Sequence, residues 1–359
     1  MKYLAFAVLL LAPQAQGDVI AIKGGKFLTV ANGDLEDAVI LIQNGKISKI
    51  GKDVTIPAGA KVIELPKGSV VTPGFIDAHS YLASAFEVEE STESVTPDVK
   101  AIEAFSSDHP DVRAALSSGV TMVAIAPGSG NLVGGRMGVL RLNGRRYDQM
   151  IVKDAAATKL SFSNEALRSD REPTSRQGAM TLLRRLLKTK PIDGIVFLHA
   201  AAADDIQRAI EIATSFKLRA VLVHADGAGE AIDAIKAARL PVAFGPIFAS
   251  DKREKLEAPG KLAKAGISIA FVSDAPATSE SQLRLAAAIA MKHGLDRDTA
   301  LRALTMAPAE MLGLSDRVGS LEAGKDADLV IYSGDPLSLT SDVETVIVEG
   351  RISFQKPKK

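Results

Sequence analysis

Three histidines and one aspartate are the residues of this chain whose types could together hold a metal ion. Each stands at or just after the end of a short apolar segment; they are His79, His199, His224 and Asp274. Imidazole nitrogens and carboxylate oxygens are ligands of ions such as zinc, and the chain has no cysteine to supply thiolates. An ion held by such groups lowers the pKa of a bound water and polarises a carbonyl. The residue types therefore predict a divalent metal site, with zinc as the first candidate ion.

Eight short apolar segments are predicted to be the strands that position these side chains. They are 75–79, 121–126, 139–142, 158–162, 194–199, 220–224, 242–245 and 268–273. Helical patterns lie between most of them, at 112–118, 177–188, 204–215, 230–238 and 279–293. This alternation is typical of a parallel βα array, and eight strands within roughly 240 residues fit a (β/α)8 TIM barrel. The sequence therefore predicts an α/β protein built on a barrel.

In a barrel of this type, functional side chains lie at the carboxyl ends of the strands. His79 ends the first predicted strand, His199 the fifth and His224 the sixth. Asp274 follows the eighth strand. Each histidine alone could equally be a hydrogen-bonded core or surface residue. The four side chains stand at four strand ends of one barrel. They are therefore predicted to converge at the mouth of the barrel, which is the edge where the parallel strands end.

The two ends of the chain carry strand patterns of another kind. Residues 18–72 alternate short apolar strands with turns, including the hairpin signal Gln43-Asn-Gly45. Strand patterns return in residues 316–359, with a predicted hairpin across Glu349-Gly350. An N-terminal sheet, a barrel over residues 73–315 and then more sheet imply a second domain that is discontinuous in sequence. We expect a small β-sandwich to which both end segments contribute.

Residues 1–17 are predicted to be a secretory signal peptide. Lys2 supplies the positive start, an apolar run follows, and Ala15-Gln-Gly17 has the small-x-small form of a cleavage site. Because a bilayer span needs about 20 apolar residues, this run is too short to anchor the protein comfortably. A buried N-terminal helix or strand is the alternative. The signal predicts an exported protein, periplasmic or extracellular, with no membrane span in the mature chain.

Charge and composition narrow the classes of partner. With 43 basic and 43 acidic residues, the formal net charge is zero, which argues against a nucleic-acid partner. Tryptophan is absent and 4% of the residues are aromatic, so a stacking platform for sugars or bases is disfavoured. The sequence sets no oligomeric state, and a homo-oligomer is one of the states that it allows.

Three segments resemble the metal-dependent amidohydrolase superfamily. Val71-Thr-Pro-Gly-Phe-Ile-Asp-Ala-His79 is similar to the family's first-strand pattern, P-G-x-I-D-x-H-x-H. Val272-Ser-Asp-Ala-Pro276 is similar to G-S-D-x-P, and the run from Gly319 to Ile331 resembles the family's closing segment. The resemblance extends to imidazolonepropionase-like and secreted bacterial members, and it covers nearly all of the chain after the predicted signal.

The resemblance implies an activity and a set of residue roles. Members of the family bind metal through two histidines of the first strand, one histidine each of the fifth and sixth strands, and an aspartate at the eighth. The matching positions here are His79, His199, His224 and Asp274. Asp274 would also be the catalytic residue that takes a proton from the attacking water and passes it to the leaving amine. The implied reaction is hydrolysis of a C–N bond in a small molecule, such as a cyclic amide or a dipeptide.

The chain departs from the family pattern at the predicted mouth. Tyr81 stands where the second histidine of the first strand is expected, and Ala201 and Ala202 replace a histidine and an arginine after the fifth strand. A phenol, with an ordinary pKa of about 10, is a weak and large ligand, so packing or hydrogen bonding is expected of Tyr81. Metal ligation by Tyr81 is the lesser alternative. These losses also leave open a non-catalytic relative that uses the barrel as a binding or scaffold module.

Lys159 is a further candidate for the mouth, because it lies on the fourth predicted strand. Some amidohydrolases carry a carboxylated lysine there, which bridges two metal ions. An ordinary lysine, solvated or in a salt bridge, is the alternative for Lys159.

A glycine-rich loop from Gly128 to Gly135 follows the second predicted strand. It lacks the Gly-Lys-Ser/Thr sequence of a P-loop. The loop resembles the P-G-S-x-N-x-I-G-G run of secreted bacterial amidohydrolases, so Asn131 and Gly134 are predicted to line the mouth and face substrate. A plain turn-rich loop is the alternative.

Overall fold

The computed structural model describes residues 19–84, 88–144 and 146–357. The predicted signal peptide, residues 1–17, lies outside the described residues. The β-strands of the described part are β1 (Ile20–Lys23), β2 (Lys26–Leu28), β3 (Asp34–Glu36), β4 (Val39–Gln43), β5 (Lys46–Gly51), β6 (Lys61–Glu64), β7 (Val70–Pro73), β8 (Phe75–Ser80), β9 (Val120–Ile125), β10 (Val133–Arg141), β11 (Ile151–Ser161), β12 (Ile195–Ala200), β13 (Arg219–His224), β14 (Val242–Phe244), β15 (Ile269–Phe271), β16 (Leu329–Tyr332), β17 (Val343–Val348) and β18 (Arg351–Gln355). The α-helices are α1 (Pro110–Ser117), α2 (Tyr147–Met150), α3 (Arg176–Thr189), α4 (Ala203–Ser215), α5 (Ile232–Ala238), α6 (Arg253–Lys264), α7 (Gln282–Lys292), α8 (Arg297–Arg302) and α9 (Met306–Met311).

Strands β8 to β15 form one eight-stranded sheet in which the spatial order follows the chain. The sheet is nearly closed. Its two edge strands are joined where the backbone N–H of Tyr81, just after β8, donates to the carbonyl oxygen of Ala275, just after β15, at 2.7 Å. The predicted barrel is therefore confirmed.

One strand of the barrel runs against the others. β8 pairs with β9 in parallel, and so do successive strands from β11 to β15, but β10 is antiparallel to both β9 and β11. The prediction of a uniformly parallel array is thus wrong at the third strand, which is also longer than the predicted 139–142. Parallel neighbours need a connection of a dozen or more residues, and the connections on both sides of β10 are shorter. The reversal brings the start of β10 to the mouth.

The barrel strands separate two apolar cores. Alternate side chains, among them Ile76, Met122 and Val223, pack inside the barrel with residues of α9. The side chains between them, such as Val123 and Leu222, pack outward against the surrounding helices. This alternation follows from the two-residue period of a strand. None of the helices in the described part of the chain is long and apolar enough to cross a bilayer.

The chain ends form two further sheets that share a core. The first has the order β5-β4-β1-β6, and the second has the order β18-β17-β16-β7-β2-β3. In the second sheet, β7 from the N-terminal segment pairs antiparallel with β16 from the C-terminal segment. Apolar side chains of both sheets pack together, including Ile22 and Ile40 from the first and Phe27 and Ile331 from the second. The predicted fold class, a barrel with a β-sandwich built from both ends, is confirmed.

Candidate metal centre

The four predicted ligands lie at the carboxyl ends of their strands. His79 is the last residue but one of β8, His199 is the last but one of β12, and His224 is the last of β13. Asp274 follows β15 by three residues. Since β12 and β13 pair with Ala200 opposite His224, the two histidines of these strands are neighbours at the mouth.

Asp274 holds two of the histidines together. Its Oδ1 lies 2.8 Å from Nδ1 of His79, and its Oδ2 lies 2.8 Å from Nε2 of His224. Ligand atoms of these three side chains all lie within 4.8 Å of one another. They therefore form a compact group of two imidazoles and one carboxylate that could surround a metal ion.

His199 lies beside this group. Its ring packs edge-on against that of His224, with the ring centroids 4.4 Å apart. His224 in turn packs edge-on against His79 at 4.9 Å. The structure thus brings the rings of all three predicted histidine ligands together, while His199 stands outside the compact group formed by His79, His224 and Asp274.

Two buried ring nitrogens in this cluster lack a partner among the described residues: Nε2 of His79 and Nδ1 of His199. A buried polar atom without a hydrogen bond is costly and calls for an explanation. When the hydrogen on Nδ1 of His79 is donated to Asp274, its Nε2 presents a free lone pair that could bind a metal ion. The residues present therefore fit a divalent metal ion.

The electrostatics of the cluster also suit a cation. Burial, with the positive charge of Lys159 adding to it, lowers the pKa of His79 to about 3. Burial likewise lowers the pKa of His199, and the neighbouring charges of His224 and Lys159 act in the same direction. For Asp274, burial alone would raise the carboxyl pKa, but His224 and His79 hold that pKa well below its usual range. Neutral imidazoles, which burial favours for His79 and His199, and an ionised carboxylate at Asp274 are the protonation states that metal binding requires.

Backbone strain is concentrated at the same place. His224 has φ +70°, Ala225 has φ +41° and Asp274 has φ +56°, all in the left-handed region that side-chain-bearing residues rarely adopt. Each such conformation costs on the order of 1–3 kcal/mol and persists where the surrounding structure imposes it, as at functional sites. Two of the four predicted ligands are thus held in strained backbone.

Asp77 supports the cluster from behind. Its Oδ1 accepts from the backbone N–H of His79 at 3.0 Å, and its Oδ2 accepts from the backbone N–H and the hydroxyl of Ser273 at 3.1 and 2.5 Å. Asp77 therefore fixes the segments that carry His79 and Asp274. Burial raises the pKa of this carboxyl to about 7, although the hydrogen bond from Ser273 opposes the rise. Sequence reasoning missed this role, although Asp77 stands inside the first-strand motif.

Tyr81 and Lys159 contact each other at the mouth. Lys159 Nζ donates to the carbonyl oxygen of Pro127 at 2.7 Å and to the Tyr81 hydroxyl at 3.1 Å. The Tyr81 ring packs edge-on against His79, with centroids 5.2 Å apart. Lys159 is only 1% exposed, so it is not a solvated lysine. Burial lowers its pKa to about 8, and the negative charge of Asp274 opposes this shift.

The glycine-rich loop lies at the mouth, but Asn131 is occupied within it. The Asn131 amide nitrogen donates to the carbonyl oxygen of Glu90 at 2.5 Å, and its oxygen accepts from Arg171 at 2.7 Å. Gly134 packs so tightly that an added Cβ would lie 3.0 Å from Cβ of Pro127, the residue whose carbonyl holds Lys159. These contacts give Asn131 and Gly134 a part in shaping the loop. Arg171, which donates to Asn131, is a contact of the loop that sequence reasoning missed.

Known proteins match this chain in sequence and in structure. A family model described as "Amidohydrolase family" matches residues 156–354. The crystal structure of an amidohydrolase from Thermotoga maritima has a TM-score of 0.85 and 31% identity, and the match covers 94% of this chain and all of the other.

Two curated relatives are less similar in sequence. An imidazolonepropionase of Mesorhizobium japonicum is 26% identical over 84% of this chain and 87% of its own length. An amidohydrolase of Hapsidospora irregularis is 25% identical over 89% of this chain, which spans only 40% of that protein's length. Together with the family model and the solved structure, they confirm the resemblance found in the sequence motifs, and the chain belongs to the amidohydrolase family.

Proposed function

We propose that this protein is a metal-dependent hydrolase that cleaves a C–N bond in a small molecule. The observation that carries the proposal is the carboxylate of Asp274 lying 2.8 Å from both His79 and His224 at the barrel mouth. The unpartnered nitrogens of His79 and His199 support it, because both are buried in the same cluster. Zinc is the first candidate ion, since two or three imidazoles with a carboxylate are typical of catalytic zinc sites.

A divalent ion held there would lower the pKa of a bound water and polarise the substrate carbonyl. Residues of the chain accept and donate the protons in the reaction. Asp274, kept ionised by its two histidine neighbours, is the base that accepts a proton as the water oxygen bonds to the carbonyl carbon. The same carboxyl then gives that proton to the nitrogen, so that the C–N bond breaks and a neutral amine or amide leaves. Asp77, through Ser273 and the backbone of His79, keeps this geometry in place.

The proposed substrate class is taken from the family. A cyclic amide is the first choice, because one similar protein is an imidazolonepropionase that matches 84% of this chain over 87% of its own length. A dipeptide or another non-peptide amide is the next class to test. The rival function is a non-catalytic binding module, which the alanines at positions 201 and 202 favour because they provide no polar group to hold a substrate.

Metal content and turnover, measured together, test the proposal. The protein is stripped with a chelator, reconstituted with zinc, manganese or iron, and analysed for bound metal and for hydrolysis of a panel of cyclic amides and dipeptides. We expect metal to bind, and His224→Ala and Asp274→Ala to lose it. His293→Ala, which removes a histidine at the end of α7 outside the cluster, is the matched control and keeps the metal. A correctly folded protein that binds no metal after reconstitution would rule out the proposed mechanism.

A further inference from the structure

A cavity opens at the end of the barrel opposite the mouth. Its volume is about 530 Å³, which is in the range of sites that hold small molecules. It is bounded by residues at or just before the amino ends of four successive strands, β12 to β15. Strand β13 begins at this cavity with Arg219 and ends at the mouth with His224. At about 3.3 Å per residue, these two strand ends lie roughly 16 Å apart, so the cavity is separate from the candidate metal centre.

The inner wall of this cavity is apolar. Ile195, Val221 and Met311 line it, and all three belong to the buried core inside the barrel. Leu240 and Ile267, which are buried in the core outside the barrel, extend the wall. Such a wall suits the hydrocarbon part of a ligand, because removing apolar surface from water is favourable.

Positive charge accompanies the apolar wall. Three cations line the cavity, namely Arg219 at the start of β13, Lys236 in the last turn of α5 and Arg239 just after that helix. All three are exposed, and their side chains form no hydrogen bond or ion pair within the described part of the chain. Glu310, the one acidic residue of the lining, is already paired with Arg302 at 2.5 Å. The cavity therefore presents cations that have no counter-ion.

A fourth cation lies beside Arg219. A Cβ built on Gly313 would lie 3.4 Å from Lys153 Nζ and 3.9 Å from Nη2 of Arg219, so both cationic groups face the same point. Lys153 Nζ donates to the carbonyl oxygens of Leu312 and Gly313 at 3.3 Å and contacts no carboxylate among the described residues. Like charges held this close repel each other, and an anion bound at Arg219 would offset the repulsion.

Arg239 has a backbone conformation that is unusual for its residue type. Its φ is +55°, in the left-handed region, at the end of α5, where glycine is common in helices. A residue with a side chain is strained there, whereas glycine is not. Because Arg239 forms no ion pair within the described ranges, the strain is not offset by a contact of the fold. A strained residue whose free cation lines a cavity indicates a binding role.

We propose that this cavity binds a small organic anion, in which a carboxylate or phosphate group is attached to an apolar body. The anionic group binds to Arg219 and Arg239, since guanidinium groups pair with carboxylate and phosphate oxygens through two parallel hydrogen bonds. The apolar body lies against the wall formed by Ile195 and Val221. The proposal concerns the opposite end of the barrel from the candidate metal centre, so it does not depend on the proposed hydrolysis.

Three probes that share a phenyl ring provide the first test, by isothermal titration calorimetry with the full chain. Phenylacetate carries a carboxylate, phenyl phosphate carries a phosphate, and phenylacetamide is the neutral analogue. We expect one molecule of phenylacetate or phenyl phosphate to bind per chain, and the tighter of the two identifies the anionic group. Phenylacetamide should bind at least about tenfold more weakly, because it forms no ion pair with an arginine. If neither anion binds, or if phenylacetamide binds equally well, the proposal is wrong.

Two glycine variants test the position of the bound anion. Arg239→Gly removes a cation and relieves the left-handed strain, so the unfolding midpoint should stay the same or rise while anion affinity falls at least about tenfold. Lys217→Gly is the matched control, because Lys217 is also an exposed cation with a left-handed φ, +52°, but does not line the cavity. We expect this control to keep the affinity. Equal losses in the two variants, or no loss in Arg239→Gly, would contradict the proposal.

A third variant separates this cavity from the mouth. His224→Ala alters the candidate metal centre at the other end of β13, so the anion affinity should not change. A loss of affinity in His224→Ala as large as that in Arg239→Gly would place the anion at the mouth and overturn the proposal.

Discussion

Asp77 is a buried residue that positions two of the predicted metal ligands. Its two oxygens together accept three hydrogen bonds, from the backbone of His79 and from the backbone and hydroxyl of Ser273. These contacts connect β8, which carries His79, to the segment after β15, which carries Asp274. Without the hydrogen bonds to Asp77, the backbone segments of His79 and Asp274 would lose the contact that connects them.

Asp77→Asn is therefore expected to weaken metal binding. The amide keeps the size of the side chain, but its NH₂ group cannot accept the hydrogen bonds from Ser273. Groups that support metal ligands in this way typically contribute about 10–100-fold to metal affinity, so we expect a loss in that range. The measurement is metal affinity by chelator competition, with Asp148→Asn, at an exposed aspartate, as the control. Equal affinities in the two variants would show that Asp77 does not position the ligands.

Some residues of the candidate metal centre could be predicted from the sequence, and others could not. His79, His199, His224 and Asp274 could be found because each stands at a predicted strand end, and a barrel brings strand ends together. Their actual ligation of a metal stays a prediction. The contacts of Lys159 could not be found, because its partners lie 32 and 78 positions away in the chain and depend on the path of a loop.

At the scale of elements, the reversed strand β10 explains both a wrong prediction and a feature of the mouth. An apolar run gives no information about strand direction, whereas the short connections before and after β10 do, because they cannot make a parallel crossover. Because β9 ends and β10 begins at the mouth, the whole loop between them lies there, and the carbonyl oxygen of Pro127 accepts a hydrogen bond from Lys159 Nζ. The predicted bounds of this strand, 139–142, leave twelve residues before it and fifteen after it, which is enough for parallel crossovers. Neither the direction of β10 nor the resulting contact could therefore be predicted from the sequence.

The start of β8 depends on a glycine that allows β8 and β9 to approach closely. A Cβ added at Gly74 would overlap the side chain of Thr121 in β9 and would lie 2.7 Å even from its Cβ. We expect Gly74→Ala to lower the free energy of unfolding by about 1–3 kcal/mol, as overpacking does in well-packed cores. Gly51→Ala is the control, because a Cβ there meets only Cγ2 of Val54 at an ordinary 3.5 Å. Urea unfolding measures both variants, and equal midpoints would refute the steric argument.

At the scale of the whole molecule, a buried arginine, Arg141, links the barrel to the sandwich. Arg141, at the end of β10, donates to Asp326 at 2.6 Å, to Asp328 at 2.9 Å and to Glu349 at 2.7 Å. Its side chain is 4% exposed. The three acidic partners come from the C-terminal segment, so the ion pairs connect the barrel sheet to the strands of the sandwich. A composite second domain could be predicted from strand patterns at both ends, but this connection could not, because it joins charges more than 180 positions apart.

Arg141→Met is expected to destabilise the protein by about 3–5 kcal/mol, because it leaves Asp328 buried without the cation that neutralises it. Asp326 keeps Lys46 and Arg317 as partners, each at 2.7 Å, whereas Asp328 has no other ion pair among the described residues. The uncompensated charge should therefore fall mainly on Asp328, next to β16, and loosen the sandwich before the barrel. Calorimetry would then show two transitions in the variant where the wild type shows one.

Arg146→Met, which removes an exposed arginine paired with Asp148, should leave the unfolding midpoint unchanged. If both variants unfold as the wild type does, the buried arginine does not hold the two parts together.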